Sequence, residues 1–250
     1  MTHQASITPV PVRFGTPTRS SQPWAEWVLM TVFAHAHHLR ETERWPSCEG
    51  RWKLLMPRDL LRSTMGIVGY GRIGRKVACL ARSFGMEMLA VRRGRGAEVA
   101  NRCGELSGVD GVSAVDVDQL ASVLALSDYV VLTVPLTPET LELIDARELD
   151  MTKSGAVLVN ASPGGVVDES ALLDALDRGH VDLAACDVFV HEPLLLDHRL
   201  WSHPRSVVTP HVAGFAPDYL DVVSTLFTQN RRRYLDELPL LNVADGERGY

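Results

Sequence analysis

The sequence predicts an α/β fold in which helices cover both faces of a mostly parallel sheet. Short apolar runs suited to buried strands alternate with segments of helical periodicity. A glycine-rich turn at 69–74 also joins a predicted strand to a predicted helix. Hydrophobic residues make up 46% of the 250 residues and charged residues 22%, as in globular domains and unlike disordered chains.

The first 62 residues precede the predicted sheet. Residues 1–21 are rich in Pro, Ser and Thr and predict an extended tail. Residues 22–62 predict a helix and a linker, because 24–40 is largely apolar and contains neither Gly nor Pro. Two interpretations of this helix stay open: a subunit contact in a homodimer, or an ordinary core helix within the chain.

Residues 63–215 are expected to form the nucleotide-binding domain. Apolar, β-branched runs predict strands, amphipathic stretches predict helices, and Gly85 predicts a helix end. The predicted strands are 63–70, 86–91, 128–134, 155–160, 181–189 and 206–209. The helices are expected after Gly71, at 118–126, after the turn at 135–140, and at 168–178. The five glycines in 92–115 predict a loop, and 216–250 predicts a closing helix and tail.

The turn at 69–74 has the pattern GxGxxG in the context that a dinucleotide site requires. Gly69 permits the tight turn, Gly71 lets the backbone approach a pyrophosphate, and Gly74 lets the helix pack on the strand. The free amides at the helix N-terminus favour phosphate. We therefore predict a Rossmann-type, doubly wound sheet with Arg72 and Ile73 also at the cofactor.

The end of the second strand predicts the choice of cofactor. An NAD site places a carboxylate there to accept from the ribose 2′-hydroxyl. This chain has Arg92, Arg93 and Arg95 instead, and an arginine pairs with a 2′-phosphate. The sequence thus favours NADP over NAD, the alternative being a solvated basic turn.

Several classes of protein are excluded by composition. Acidic residues outnumber basic ones by 31 to 25, which argues against a duplex nucleic-acid binder. The absence of an apolar run of 18 residues argues against a membrane span. The four cysteines lack metal-site spacing, so no metal is expected, and Cys79 and Cys186 lie in apolar runs. With no signal peptide apparent, we expect a reducing, cytoplasmic location.

Beyond the glycine turn, many runs resemble the D-2-hydroxyacid dehydrogenase family. The similar runs are 66–74, 127–128, 135–140, 155–160, 165–169, 187–189, 192–194 and 209–214. The resemblance implies that Asp187 contacts the nicotinamide carboxamide and that Thr133, Pro135 and Asn160 line the cofactor cleft. Thr140, His211 and Gly214 complete the predicted set of cofactor-binding residues. It also implies that His211 is the acid/base and that Glu192 is its carboxylate partner.

The chain departs from the family pattern in two places. The family has a substrate-binding arginine where this chain has Pro163, and proline offers neither charge nor donor. Most of the family's N-terminal substrate domain is also absent before residue 22, so a truncated member is expected.

Three functions remain open on this basis. The first is an NADP-dependent reductase of a non-standard, bulky carbonyl substrate, with His211 and Glu192 relaying the proton. The second is a non-catalytic NAD(P)H-binding module that contacts a partner protein, and the third is a conventional 2-hydroxyacid dehydrogenase.

Overall fold

A computed structural model describes residues 21–43, 52–93 and 112–243. The chain divides into two compact units. One unit is Ser20–Ala216, and the other includes Pro217–Tyr250. The tail at 1–20, Arg95 and the cysteines Cys48 and Cys103 lie outside the described residues.

The larger unit is built on a seven-stranded sheet in which all neighbouring strands are parallel. The strands are β1 (Thr64–Val68), β2 (Glu87–Val91), β3 (Val112–Val115), β4 (Tyr129–Leu132), β5 (Ala156–Asn160), β6 (Val181–Cys186) and β7 (Ser206–Val208). Their order is β3-β2-β1-β4-β5-β6-β7. Because the chain runs outward in both directions from β1 and β4, the predicted doubly wound, Rossmann-type sheet is confirmed.

Helices pack on both faces of this sheet. The helices of this unit are α1 (Ser21–Ala36), α2 (Leu39–Glu43), α3 (Arg72–Arg82), α4 (Leu120–Leu126), α5 (Ala146–Met151) and α6 (Glu169–Asp177), and α2 has no buried residue. Buried residues of α1 and α3 form one core cluster with the sheet, and those of α4, α5 and α6 form another. Adjacent strand residues such as Ile67 and Val68 belong to opposite clusters, because side chains alternate across a strand.

The burial of α1 is explained within the chain. Val28 and Val32 are fully buried, and α1 packs against α3 in the same cluster. The structure therefore agrees with the core-helix interpretation, and a homodimer is not needed to cover this face.

Several predicted boundaries differ from the structure: the strand expected at 181–189 ends at Cys186, and the helix expected over 24–40 is divided into α1 and α2. Three further differences have a clear physical reason. The expectation of a loop throughout 92–115 was wrong at β3, a half-exposed edge strand whose four residues show no alternation of apolar side chains. The helix expected to end at Gly85 ends at Arg82, and Gly85 then adopts a positive φ of 78° in the following turn. The helix expected directly after 135–140 begins only at Ala146, where Asp145 caps its amides.

The unit that contains Pro217–Tyr250 holds the predicted closing helix, α7 (Tyr219–Leu235). The Asn230 side chain is buried and exchanges two hydrogen bonds with the Leu241 backbone, at 2.7 and 2.9 Å. These bonds fold the segment after α7 back onto the helix.

Two further findings concern only the described residues. Over these residues, no helix combines the length and the apolarity that crossing a membrane requires. Within them, no cluster of three or more His, Cys, Asp or Glu side chains is arranged to hold a metal ion.

Cys186 is a core residue, and burial raises the pKa of its thiol to about 12.

A candidate dinucleotide site at the carboxyl edge of the sheet

The predicted site residues lie at or directly after the carboxyl ends of six strands. They are Gly69, Gly71, Arg72, Ile73 and Gly74 after β1; Arg92 and Arg93 after β2; Thr133, Pro135 and Thr140 after β4; Asn160 at the end of β5; Asp187 and Glu192 after β6; and His211 and Gly214 after β7. Since all strands are parallel, these segments lie along one edge of the sheet. The sheet reverses its winding between β1 and β4, which is where ligands bind in open α/β sheets.

The glycine turn has the geometry that its pattern requires. Gly69 has a φ of +103°, and a Cβ there would lie 2.7 Å from the Thr133 carbonyl carbon and oxygen. A Cβ on Gly74 would collide with the Gly69 carbonyl oxygen and would approach Ile67, so α3 can pack only with glycine there. By contrast, a Cβ on Gly71 would meet nothing within 4 Å. Gly71 therefore faces open space, as expected for a residue whose backbone a pyrophosphate approaches.

Helix α3 begins directly after this turn and points its N-terminus at the edge. Gly71 is the N-cap residue and has no side chain with which to bond the first-turn amides. The first turn contains no acidic residue. Arg72 is exposed at its start, whereas Ile73 packs partly against the core. The first-turn amides of α3 and Arg72 thus suit a phosphate, whereas Ile73 mainly packs the helix against the core.

The arginines after β2 flank the glycine turn. The Arg92 amide donates to the Val115 carbonyl at 3.0 Å, which fixes the backbone at the strand end. Arg93 forms an ion pair with Glu139 in the loop after β4, with 3.7 Å between nitrogen and oxygen. Because β1 lies between β2 and β4, this pair joins the loops on either side of the glycine turn.

The loops after β4 and β5 are joined by a buried hydrogen-bond chain. The Thr133 hydroxyl donates to the Gly69 carbonyl at 2.6 Å and so ties the β4 loop to the glycine turn. Asn160 accepts from the Ser162 amide at 3.0 Å, and the Ser162 hydroxyl accepts from the Val134 amide at 2.8 Å. Sequence reasoning missed Ser162, since a small polar residue beside a strand carries no signal of its partner.

Thr140 has a structural contact that the sequence did not predict. Its hydroxyl donates to the Pro135 carbonyl at 2.6 Å and accepts from the Thr137 amide at 2.7 Å. The side chain is buried in the turn that it closes. Thr140 therefore shapes the loop that carries Pro135.

Asp187 is fully buried and holds the loop after β7. Its carboxylate accepts from the Thr209 hydroxyl at 2.5 Å and from the amides of Val212 and Ala213 at 3.0 and 2.8 Å. Its carbonyl accepts from the His211 amide at 2.8 Å. These bonds hold His211 at a φ of +54°, in the left-handed region that few non-glycine residues adopt. In this structure Asp187 thus positions the His211 backbone.

His211 and Glu192 form the predicted pair. The His211 Nδ1 lies 2.7 Å from Glu192 Oε2, and Glu192 Oε1 accepts from the Phe189 amide at 3.0 Å. The imidazole is 55% exposed. With Nδ1 directed at the carboxylate, Nε2 is the ring nitrogen available to exchange a proton with a ligand.

The charge state of Glu192 suits this role. Partial burial alone would raise the pKa of its carboxyl. The hydrogen bonds from His211 and the Phe189 amide outweigh that effect, so the pKa lies below its usual value. Glu192 is therefore ionised near neutral pH and stabilises a positive charge on the imidazole.

Gly214 is required by packing. A Cβ on this residue would lie 2.6 Å from Nε1 of Trp24 in α1. Neighbouring Ala213 belongs to the core cluster that α1 completes. Helix α1 therefore supports the loop that carries His211.

This arrangement was compared with known proteins. The model of the D-isomer specific 2-hydroxyacid dehydrogenase NAD binding domain matches residues 29–213. The chain belongs to this family. The match includes the glycine turn, the Pro163 segment and the His211–Glu192 pair, and the chain therefore contains the family's NAD binding domain.

Its curated relatives include a glyoxylate reductase and a D-3-phosphoglycerate dehydrogenase. It is 35% identical over 208 residues to a glyoxylate reductase of Thermococcus gammatolerans, covering 80% of this chain and 59% of that protein. It is 35% identical over 192 residues to a D-3-phosphoglycerate dehydrogenase of Synechocystis, covering 76% of this chain and 32% of that protein. The chain thus spans less than two thirds of the length of these curated relatives.

Two solved structures of relatives contain a nicotinamide cofactor. One is a D-isomer specific 2-hydroxyacid dehydrogenase of Xanthobacter autotrophicus Py2 in complex with NADPH and MES. It shares 33% identity and a TM-score of 0.84, covering 98% of this chain and 97% of that one. The other is an NADPH-dependent glyoxylate/hydroxypyruvate reductase of Sinorhizobium meliloti with NADP and sulfate. It shares 27% identity and a TM-score of 0.85, covering 97% of this chain and 74% of that one.

Proposed function

We propose that this protein binds NADP(H) in preference to NAD(H) and reduces a carbonyl compound with His211 and Glu192 as its proton relay. The observation that carries the proposal is the 2.7 Å contact between His211 Nδ1 and Glu192 Oε2 on the sheet edge that also holds the glycine turn. A carboxylate-oriented imidazole beside a dinucleotide site supports proton transfer coupled to hydride transfer.

The residues at the edge fit a dinucleotide. The open space at Gly71 and the amides of α3 would receive the pyrophosphate. When bound, the reduced cofactor supplies the hydride that a carbonyl carbon accepts. The chain must then supply the proton for the oxygen and must hold the carbonyl near His211.

The preference for NADP is supported by the end of β2. The residues that follow the strand are Arg92 and Arg93, where an NAD site has a carboxylate. A guanidinium forms charge-assisted hydrogen bonds with a 2′-phosphate, which NADH lacks. The Xanthobacter and Sinorhizobium relatives were crystallised with NADPH and NADP, respectively.

Proton transfer is assigned to His211. In its protonated form the imidazole donates from Nε2 to the carbonyl oxygen, while Glu192 accepts from Nδ1 and balances the charge. The Phe189 amide fixes the second oxygen of Glu192, so the carboxylate does not need to reorganise.

Pro163 distinguishes this site from that of a conventional 2-hydroxyacid dehydrogenase. The residue is exposed at the edge, between buried Ser162 and Gly164. Proline has no group that can bind a carboxylate, so we infer that the substrate is not a small 2-keto acid. Bulky carbonyl compounds are the candidate substrates. The alternative function is a non-catalytic NAD(P)H-binding module.

Replacing His211 tests the proposal. We expect His211→Asn to lower carbonyl-dependent NADPH oxidation by about 10²–10⁴-fold, the usual contribution of a general acid. Asparagine tolerates the left-handed backbone better than most non-glycine residues, so the loop should keep its geometry and the variant should still bind NADPH. The matched control is His203→Asn, because His203 pairs with Asp177 away from the relay.

Two outcomes would contradict the proposal. One is a His211→Asn protein that oxidises NADPH as fast as the native protein. The other is a native protein that binds NADPH, turns over none of a broad set of carbonyl compounds and binds a partner protein only with NADPH. That result would favour the binding module.

A further inference from the structure

We propose that the carbonyl substrate is uncharged and apolar next to its reacting group, and that Leu136, Leu141 and Val190 contact it beside Pro163. This inference rests on the proposed function and names its substrate class. It is carried by the charges of four loops and by the contacts that join them.

At the carboxyl edge of the sheet, positive side chains lie in one half and negative side chains in the other. The loops after β4, β5, β6 and β7, at 133–145, 161–168, 187–198 and 209–216, contain no Lys or Arg and seven carboxylates. The arginines of the predicted site, Arg72, Arg92 and Arg93, follow β1 and β2. Cations thus lie on the half suited to cofactor phosphates, and the half that holds His211 is acidic.

The Pro163 segment lies between two apolar loops. A Cβ on Gly165 would be 3.4 Å from the Cδ1 atoms of both Leu136 and Leu141. On the other side, Gly164 packs against the backbone of Phe189 and Val190 so closely that a Cβ would overlap it. The position of the family's arginine is therefore flanked by leucine side chains and by the backbone that carries Val190.

These loops are continuous with the proton relay. The Phe189 amide donates to Glu192, and Glu192 contacts His211. The Val190 amide donates to the Glu169 carboxylate at 2.8 Å, and this bond attaches the Val190 segment to the first residue of α6. The backbone that packs against Gly164, next to Pro163, is therefore the same segment that holds Glu192 of the relay.

The side chains around this position are apolar and accessible. Leu136 is 42% exposed, Leu141 59% and Val190 53%. Single exposed apolar residues are ordinary, but three on loops joined at one point, next to an exposed histidine, resemble the lining of a ligand site. An apolar substituent on the carbonyl compound would gain binding free energy by removing these three side chains from water.

A 2-keto acid would be bound poorly here. Its carboxylate would lose hydration among loops that contain no Lys or Arg and seven carboxylates. The uncharged ester of the same acid keeps the carbon skeleton and the reacting carbonyl without that cost. The structure therefore favours ketones, aldehydes and 2-oxo esters with branched or aromatic substituents.

A matched pair of substrates tests this inference. We compare the native protein on methyl 4-methyl-2-oxopentanoate and on 4-methyl-2-oxopentanoate, with NADPH. We expect kcat/KM for the ester to exceed that for the acid by about tenfold or more, the usual effect of one uncompensated charge. Pro163→Arg should move this ratio toward the acid by about tenfold or more, and the uncharged control Pro163→Gln should not.

Binding is measured separately from turnover, by saturation-transfer NMR of both compounds with the protein and NADP⁺. The ester should receive saturation and the acid should not. Preference of the native protein for the acid, in either measurement, would overturn the substrate class and leave the reductase in place. Binding of the ester without reduction of any carbonyl would instead overturn the proposed function.

Discussion

At the scale of single residues, the site depends on how a few polar groups share their hydrogen bonds. Asp187 accepts three hydrogen bonds at its carboxylate, all from residues 22 to 26 positions later. This holds His211 in a left-handed conformation where its imidazole meets Glu192. The histidine and the glutamate were predictable from the family resemblance. The loop-holding role of Asp187 was not, because the sequence does not show which distant amides a buried carboxylate will accept.

The pairing of Glu192 with His211 makes a pH prediction. In the proposed relay, ionised Glu192 accepts from Nδ1 of His211 while Nε2 donates the proton, so Glu192→Gln should lower kcat by about tenfold or more at neutral pH. The carboxyl has a depressed pKa, and its contribution is lost only as the pH falls through that pKa, below the usual value of 4.5. The advantage of the native protein over Glu192→Gln should therefore shrink only at pH values below 4.5.

The measurement is the pH dependence of carbonyl reduction for the native protein, Glu192→Gln and Glu142→Gln. Glu142 is an exposed carboxylate of the β4 loop and serves as the control. Equal kcat values for the native and Glu192→Gln proteins at neutral pH would exclude Glu192 from the relay.

At the scale of elements, the sequence predicted buried strands and helices more accurately than exposed ones. The central strands were located well because both of their faces are buried, which leaves continuous apolar runs such as Tyr129–Leu132. The edge strand Val112–Val115 was missed because it is half exposed and short. Helix α1 was predicted as buried, but its support of the Gly214 loop through Trp24 depends on a tertiary contact between distant residues.

Helix α1 also carries a prediction about stability. His35 in its last turn contacts Asp182 at 3.0 Å and Tyr129 at 3.4 Å, at the start of β6 and β4. Burial lowers the pKa of His35, an effect that its hydrogen bond with Asp182 only partly offsets. The unfolded chain then binds the proton more tightly, so the free energy of unfolding should fall as pH falls below the usual value of 6.5.

Urea unfolding at about pH 7.5 and about pH 5.5 measures this effect. We expect the native protein to lose stability at the lower pH and His35→Gln to lose less, since glutamine does not titrate. His37→Gln, at an exposed position in the turn that follows α1, is the control. An equal loss in the native and His35→Gln proteins would show that His35 is not responsible.

At the scale of the whole molecule, positive and negative side chains follow different strands along the carboxyl edge of the sheet. The chain has a net charge of −6, yet its glycine turn is flanked by Arg72, Arg92 and Arg93. The acidic loops follow β4 to β7. The strand order brings these loops together, so their combined charge was not apparent from a linear reading of the sequence. Such a division favours one orientation of a dinucleotide, with its phosphates toward β1 and β2.

A side-by-side titration with NADPH and NADH, followed by fluorescence, tests the central claim most directly. We predict tight binding of NADPH and weak binding of NADH by the native protein. Arg92→Asp should weaken NADPH strongly and change NADH little, because only NADPH has the 2′-phosphate. Equal affinity of the native protein for the two cofactors, or equal loss of both in Arg92→Asp, would contradict the assignment to NADP.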